Sequence, residues 1–455
     1  MAFSSRNVVT NPARVFSLIW LGQLISSLGT GLTQFSVGVY VYQNSDSVTE
    51  YSLASFFGFL PMVLLAPVAG SMVDRSNRQR VMLLADLGAM TAIGLMWCFV
   101  AADRAGLWPL QNWHFYPPLA MSAAFSTFRV LAFSTATPLL VSKQNLGRAN
   151  GMVELAMSAG QLLGPAMAGV LVVRMGLQGV LLIDLATFLF AVATLLSVRI
   201  PQPEPDAART EPRKSLWTDI ALGWRFIRER PGLLGLLGFS SAVNLITVLV
   251  TVLITPLVLS FTDPTTLGLV VSCSGVGMVA GGITMGVWGG PKRRILGVLG
   301  AELVAGVALL AAALPASVFV VACAAFVFMF TAPVAMGCSQ AIWQSKVPPA
   351  IQGRVFATRR MLALVAPPVA ALLAGPLTDK VFDPWMAPDG ALANTFGQVL
   401  GTGPGRGIAL LYVVLGLLLA GCVMLTASSP RVRGVEDELP DALLPQGLPA
   451  AQQQA

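Results

Sequence analysis

Long apolar runs broken by short charged stretches dominate this chain. No charged residue occurs from Val15 to Ser45, from Tyr51 to Val73, or from Leu303 to Ser345. A helix needs about 20 apolar residues to cross the hydrocarbon of a bilayer. The last of these runs is long enough for two crossings, and Leu314-Pro315-Ala316-Ser317 supplies a turn signal in its middle. Counted this way, the chain predicts twelve membrane-crossing helices, at roughly 15–41, 51–73, 81–101, 115–142, 150–173, 177–199, 232–262, 264–289, 295–313, 317–345, 361–378 and 407–427. The expected fold class is an all-α membrane protein. The first run is far longer than the apolar region of a signal peptide, and no small-residue cleavage site closes it. It is therefore expected to be a span.

The breaks between runs carry the next layer of information. With both chain ends on one side, that side holds Arg6, Arg14, Arg75, Arg78, Arg80, Lys143 and Arg148. It also holds Lys292, Arg293, Arg294, Lys346, Arg354, Arg359, Arg360, Arg431 and Arg433. The opposite side receives only Arg104, Arg174, Lys380 and Arg406. Basic residues collect on the cytoplasmic side of a membrane protein, so both termini are expected in the cytoplasm, with the plasma (inner) membrane crossed many times.

The middle of the chain reads differently. PQPEPDAARTEPRKS is Pro-rich, charged and irregular in pattern. In SLWTDIALGWRFIRER, which follows, Trp217, Ile220, Trp224 and Ile227 recur at helical spacing, with Arg225, Arg228 and Glu229 mostly on the other side. That pattern suits a short helix lying on the cytoplasmic face with its tryptophans at the lipid headgroups; a nucleic-acid partner is not expected. The chain then divides into a first six-span bundle (1–199), a linker with its interfacial helix (200–231), a second six-span bundle (232–430) and a disordered tail (431–455).

Matched loops support an internal duplication. SKQNLGR (Ser142 to Arg148) follows span 4 and SKVPPAIQGR (Ser345 to Arg354) follows span 10. GSMVDRSNRQR (Gly70 to Arg80) follows span 2. Its counterpart after span 8, GVWGGPKRR (Gly286 to Arg294), keeps the leading Gly and the basic residues but has Gly290 in place of the acid. Two pseudo-symmetric six-helix bundles follow. Composition agrees with this picture: 55% of the residues are hydrophobic and 11% charged, against about 25% charged in soluble proteins. Enzymatic readings find no footing. There is no Walker-type phosphate loop, a single histidine, His114, and five cysteines at unrelated spacings, so no metal site, cofactor or catalytic constellation is expected.

Gly70-x-x-x-Asp74-Arg75-x-x-Arg78 resembles the loop 2–3 motif of the major facilitator superfamily, as do the two-half layout and the cytoplasmic linker. GQLLGPAMAG in span 5, with Gly160, Gly164, Pro165 and Gly169, resembles the glycine-proline element of its drug and metabolite exporters. WRFIRERPGLLGLL and VPPAIQGRVFATRRM resemble the branch containing macrolide-efflux and enterobactin-exporter proteins. The likeness covers residues 14 to about 428. It implies an alternating-access secondary transporter that exports an amphipathic small molecule in exchange for protons, as a monomer in the lipid bilayer. It also implies that Asp74 latches the closed cytoplasmic side against the start of span 11, near Gly353 and Arg354. A facilitator or importer on the same fold, such as a lysophospholipid transporter, and a transport-dead membrane partner remain as alternatives.

Ionisable residues inside spans are costly and point to function. Asp86, Arg129, Glu154, Asp184 and Glu302 qualify. Arg129 lies near the middle of span 4, which by the resemblance lines the central cavity, so it is a candidate for an anionic substrate group. A buried ion pair with Asp184 or Glu154 is the structural alternative. Gln34, Asn244 and Gln340 are further candidate substrate contacts, each equally able to bond helix to helix. Glu154 and Asp184 are the candidate proton-coupling acids. Asp86, Glu154 and Glu302 lie within about two turns of the cytoplasmic helix ends, where a helix-end charge is the plainer reading, and Asp184 sits nearer the external side. Gly160, Gly164 and Gly169 would let helices approach closely, and Pro165 permits a kink.

Overall fold

The computed structural model describes residues 11–201, 216–314 and 316–438. The first half is built from α1 (Pro12–Ser45), α2 (Val48–Arg75), α3 (Arg78–Arg104), α4 (Tyr116–Leu140) and α5 (Leu146–Leu196). After α6 (Leu216–Arg228) come α7 (Pro231–Leu259), α8 (Pro264–Trp288), α9 (Arg294–Ala312), α10 (Val318–Lys346) and α11 (Pro349–Leu377). A π turn (Thr378–Phe382) then leads to α12 (Asp383–Met386), α13 (Phe396–Leu400), α14 (Arg406–Ser428), α15 (Pro430–Arg433) and α16 (Val435–Glu438). Side-chain caps start several of them. Asn11 Oδ1 accepts from the Ala13 amide at 3.1 Å, and Asn77 Oδ1 accepts from the Arg80 amide at 3.1 Å, which sets the tight turn between α2 and α3.

Eleven helices among the described residues are long and apolar enough to cross a membrane. One of them, α5, crosses twice. Its 51 residues are broken at Gly176, with φ 67° and ψ 176°, a left-handed setting that glycine adopts at no steric cost. Residues 160 and 184 both lie against the middle of α1: a Cβ on Gly160 would fall on the Ser27 carbonyl, and Thr33 bonds Asp184. The two limbs of α5 therefore run side by side and supply the fifth and sixth crossings.

Hydrophobic clusters mark two sides of the bundle. On the side where the chain ends lie, the terminal side, Val15, Val73, Val81, Leu140, Ala149 and Leu195 pack together within the first half. Ile227, Leu233, Ile295, Trp343, Val355 and Val432 do the same within the second. On the far side the halves share their cores. Val48 of α2 packs with Leu253, Leu309, Ala374 and Met386, and Val39 of α1 packs with Val258, Leu267 and Val321. The halves meet along α2 with α11 and along α5 with α8. Among the described residues, the buried clusters join the two halves on the far side and stay within one half each on the terminal side.

Three expectations change. The start of α11 at Pro349, not 361, makes Arg354, Arg359 and Arg360 helical rather than loop residues. Pro348-Pro349 sets the start, because a proline in the first turn forfeits no intrahelical bond. The amphipathic α6 does not simply lie on the face: Ile227 is fully buried, Gly223 sits on the Arg354 carbonyl, and Thr358 Oγ1 donates to the Ile220 carbonyl at 3.4 Å. Trp224 stays exposed, while the side chain of Trp217 lies outside the described residues. Finally, residues 431–438 are docked rather than disordered. Glu436 accepts from the Arg294 and Ile295 amides at 3.1 and 2.9 Å, and Val432 and Val435 are buried. The segment 379–400 packs Met386 and Leu400 into the far-side core.

Glycine at two positions should respond oppositely to alanine. Gly160→Ala drives a methyl into the Ser27 backbone and should destabilise the protein by about 1–3 kcal/mol. Gly58, in α2, has no atom within 4 Å of a built Cβ, so Gly58→Ala should stabilise by about 0.5–1 kcal/mol. Thermal melting of both variants in detergent distinguishes the two signs.

Candidate functional site

Arg129, halfway along α4, is 7% exposed and points into the first half. Its Nη1 donates to Ser26 Oγ at 2.8 Å and lies 3.5 Å from Asp86 Oδ1, while Nη2 donates to Ser126 Oγ at 3.3 Å. The guanidinium also lies 5.4 Å from the centre of the Phe188 ring, within cation–π range. Asp86 is wholly buried on α3, where Gln23 Nε2 donates to its other oxygen at 3.4 Å. The ion-pair partner of Arg129 is thus Asp86, not Asp184 or Glu154. Four elements (α1, α3, α4 and the second limb of α5) converge on this charge, which no single helix could shield.

Asp184 lies beside this pair and is also fully buried. Thr33 Oγ1 donates to Oδ2 at 2.6 Å and Thr187 Oγ1 to Oδ1 at 3.2 Å. The chemistry of the two acids differs through their neighbours. Asp86 faces a guanidinium and an amide NH2, groups that only donate, and these match an ionised carboxylate. Asp184 faces hydroxyls, which can donate to a carboxylate or accept from a carboxylic acid. The surroundings of Asp184 therefore accommodate both protonation states without rearranging heavy atoms.

The other candidates are scattered. Gln34 is exposed on α1, and Glu154 is exposed near the start of α5. Asn244 Nδ2 donates to the Ala363 carbonyl at 3.0 Å, tying α7 to α11. Gln340 Oε1 accepts from Arg359 Nη1 at 3.1 Å, and Arg359 sits over the Trp343 ring at 4.5 Å. Both amides thus make helix–helix bonds in the second half. Arg78 Nε donates to Thr135 Oγ1 at 3.3 Å. A Cβ at Gly70 or Gly353 would meet open space, and the Arg354 carbonyl accepts from Thr358 Oγ1 at 3.0 Å. The side chains of Asp74 and Arg75 lie outside the described residues. The glycine element faces two ways. Gly160 and Gly164 meet α1, whereas Gly169 and Pro165 meet α8 of the other half, a Cβ on Gly169 falling 2.5 Å from the Pro264 carbonyl oxygen.

Sequence reasoning passed over Asp86, Gln23, Ser26, Thr33 and Arg359 as site residues. One signal was present. Asp86 comes eight residues after Arg78, the first residue of α3, and Glu302 comes eight residues after Arg294, the first of α9. Both are buried, so neither is a helix-end surface charge. His114, read as an ordinary loop residue, is buried and stacked on Trp113 at 4.0 Å.

Twelve apolar crossings in two halves, whose described cores are shared on one side of the bundle and which hold charge inside it, define a polytopic membrane transporter. The chain belongs to the Major Facilitator Superfamily, whose family model matches residues 19–371. It is 26% identical over 372 residues to macrolide efflux protein A of Streptococcus pyogenes, covering 80% of this chain and 90% of that protein. It is 26% identical over 374 residues to the multidrug efflux pump Tap of Mycolicibacterium fortuitum, covering 80% and 88%. Among solved structures, it matches a bacterial homologue of the human lysosomal transporter Spinster, in an inward-facing and unoccupied conformation. That match has TM-score 0.67 and 13% identity over 93% of this chain and 97% of the other. The nucleoside transporter NupG matches with TM-score 0.66 and 13% identity over 91% and 99%. These structural likenesses describe the fold.

Removing one member of the Arg129–Asp86 pair strands the other charge in the bundle, at a cost of about 3–5 kcal/mol. Arg129→Gln and Asp86→Asn should each be strongly destabilised in detergent, and the double variant by much less than the two costs added together. Additive losses would show that the two charges do not depend on each other.

Proposed function

We propose that this protein is a plasma-membrane secondary transporter that exports amphipathic, drug-like small molecules in exchange for protons. The observation that carries the reading is the sharing of the described cores between the halves on the far side. The bias of basic loops supports a cytoplasmic terminal side, and on that reading the shape is a state that loads from the cytoplasm or inner leaflet. The names of the relatives, a macrolide efflux protein and a multidrug efflux pump, supply the cargo class and the outward direction. Residues 1–199 and 232–430 rock as bodies about their shared contacts, joined by the linker at 200–231. One copy of the chain contains both halves, so a monomer suffices.

Within this cycle Arg129 sets the potential of the first half's interior, and Asp184 is the proton-coupling acid. Its hydroxyl partners fit it for that role better than the donor-only partners of Asp86, and better than the exposed Glu154. Gln34, exposed on α1, contributes a polar cavity contact. Asn244 and Gln340 act by holding α7 and α10 to α11. Asp74 closes the cytoplasmic side against the start of α11 in the opposite state.

Inside-out vesicles carrying the purified protein, with an acidic lumen, should accumulate a macrolide or an amphipathic dye above equilibrium, and a protonophore should abolish the excess. Asp184→Asn should lose accumulation while retaining substrate exchange at equal pH. Wild-type uptake that stops at equilibrium and ignores the protonophore would sink the antiport reading in favour of a facilitator. Full accumulation by Asp184→Asn would move the coupling to another acid.

A further inference from the structure

Asp379 belongs to the second half, in the π turn that follows α11, yet its described partners belong to the first. Ser47 Oγ donates to Oδ2 at 2.8 Å, the Thr49 amide to Oδ2 at 2.9 Å and the Val48 amide to Oδ1 at 3.1 Å. Val48 and Thr49 open α2, and their amides are among the first-turn N–H groups that no helix can satisfy internally. Ser47 Oγ meanwhile accepts from the Glu50 amide at 3.3 Å. The start of α2 is thus capped jointly by its own Ser47 and by a carboxylate from across the half boundary. One turn before Asp379, Gly375 lies against Thr49 Cα and Ser52 Oγ with no room for a Cβ, so the backbones of α11 and α2 meet there.

The position has an electrostatic logic. The π turn runs straight on into α12, so Asp379 lies about two turns before this helix ends at Met386. Docking on the start of α2 places its charge at a positive pole. Asp74, near the end of α2, stands at the negative pole of its own helix. The N-cap position of α11 is Pro348, whose side chain makes no capping hydrogen bond.

We propose that Asp379 is the far-side latch: it caps α2 only while the far side is closed, and so sets how much of the protein rests in the cytoplasm-open state. The inference deepens the alternating-access part of the proposed function, and its test needs neither substrate nor proton gradient. Opening the far side breaks three cross-half hydrogen bonds at once and leaves the first turn of α2 without its second acceptor.

Spin labels at Asn44→Cys and Gln398→Cys, both exposed and one on each half, report the far-side gap. The labels go on a background whose exposed Cys98 and Cys323 are serine. Double electron–electron resonance on Asp379→Ala should show the long-distance, far-open population raised at least threefold over the unmutated latch, on the scale of about one helix cap. Asp379→Asn keeps the shape and one acceptor and should shift it less. Ser47→Ala should shift it in the same direction, and it tests the latch should the Asp379 variants fail to fold. Unchanged distances in Asp379→Ala, or in Ser47→Ala if only that variant folds, would overturn the latch. A protein that moves no drug in vesicles yet shows the shift would overturn the export reading alone.

Discussion

Lipid gives two helices no hydrophobic reason to pair, so close backbone packing has to hold this bundle together. Glycine supplies it at several of the long crossings. Gly31 and Gly160 press α1 and α5 together, and Gly169 and Gly268 press α5 and α8 together across the half boundary. Gly277 and Gly281 seat α8 on the Phe326 and Phe330 carbonyls of α10. These contacts form one continuous path from the first helix of the first half to the tenth. At the α5–α8 crossing they are mainly backbone on backbone, with Ser272 Oγ donating to the Leu162 carbonyl at 2.9 Å as a side-chain tie. A joint with so few interlocked side chains holds the halves together and still lets one tilt on the other.

The second constraint is charge, and the two halves meet it differently. The first half buries Arg129, Asp86 and Asp184, each bonded by a short polar side chain of α1: Ser26, Gln23 and Thr33 respectively. In the second half, Glu302 has no cationic partner among the described residues, and Arg359 relies on Gln340 and the Trp343 ring. The repeat of helices is therefore not a repeat of chemistry. The departure at Gly290 in the second half's loop belongs to the same pattern: the halves repeat their helices and not their polar groups.

Much of the fold was legible because the length of an apolar run is itself a physical requirement of the bilayer. The run from Val15 to Ser45 allowed little else. The start of α11 was missed because Arg354, Arg359 and Arg360 were read as loop charges, although a helix can extend past the hydrocarbon and carry them on its first turns. Arg129 was legible from its depth in span 4. Its partner was not, since the depth of Asp86 says nothing about which face of α3 it occupies or which helix lies opposite. GQLLGPAMAG announced a close-packed surface. That Gly160 meets α1 while Gly169 meets α8 depends on where the helices cross, which periodicity does not encode. Asp379 sat in a segment with the composition of a loop, and its partners are more than 300 residues away.

Alternating access requires two states of similar free energy, because a substrate or a proton shifts an equilibrium only by its difference in affinity for the two. A shape stabilised on one side alone would stay there. The arrangement of α2 and α11 offers a way to balance the states. The far-side closure caps the start of α2 with Asp379, while the N-cap position of α11 is Pro348, whose own side chain makes no cap. Closing the terminal side would exchange that cap for one from Asp74 on α11. One carboxylate leaves a positive helix pole as another arrives, and the hydrophobic area uncovered on one side is recovered on the other. On the proposed cycle, a residual difference of about a few kcal/mol is what the differential binding of a proton or a cargo molecule has to supply.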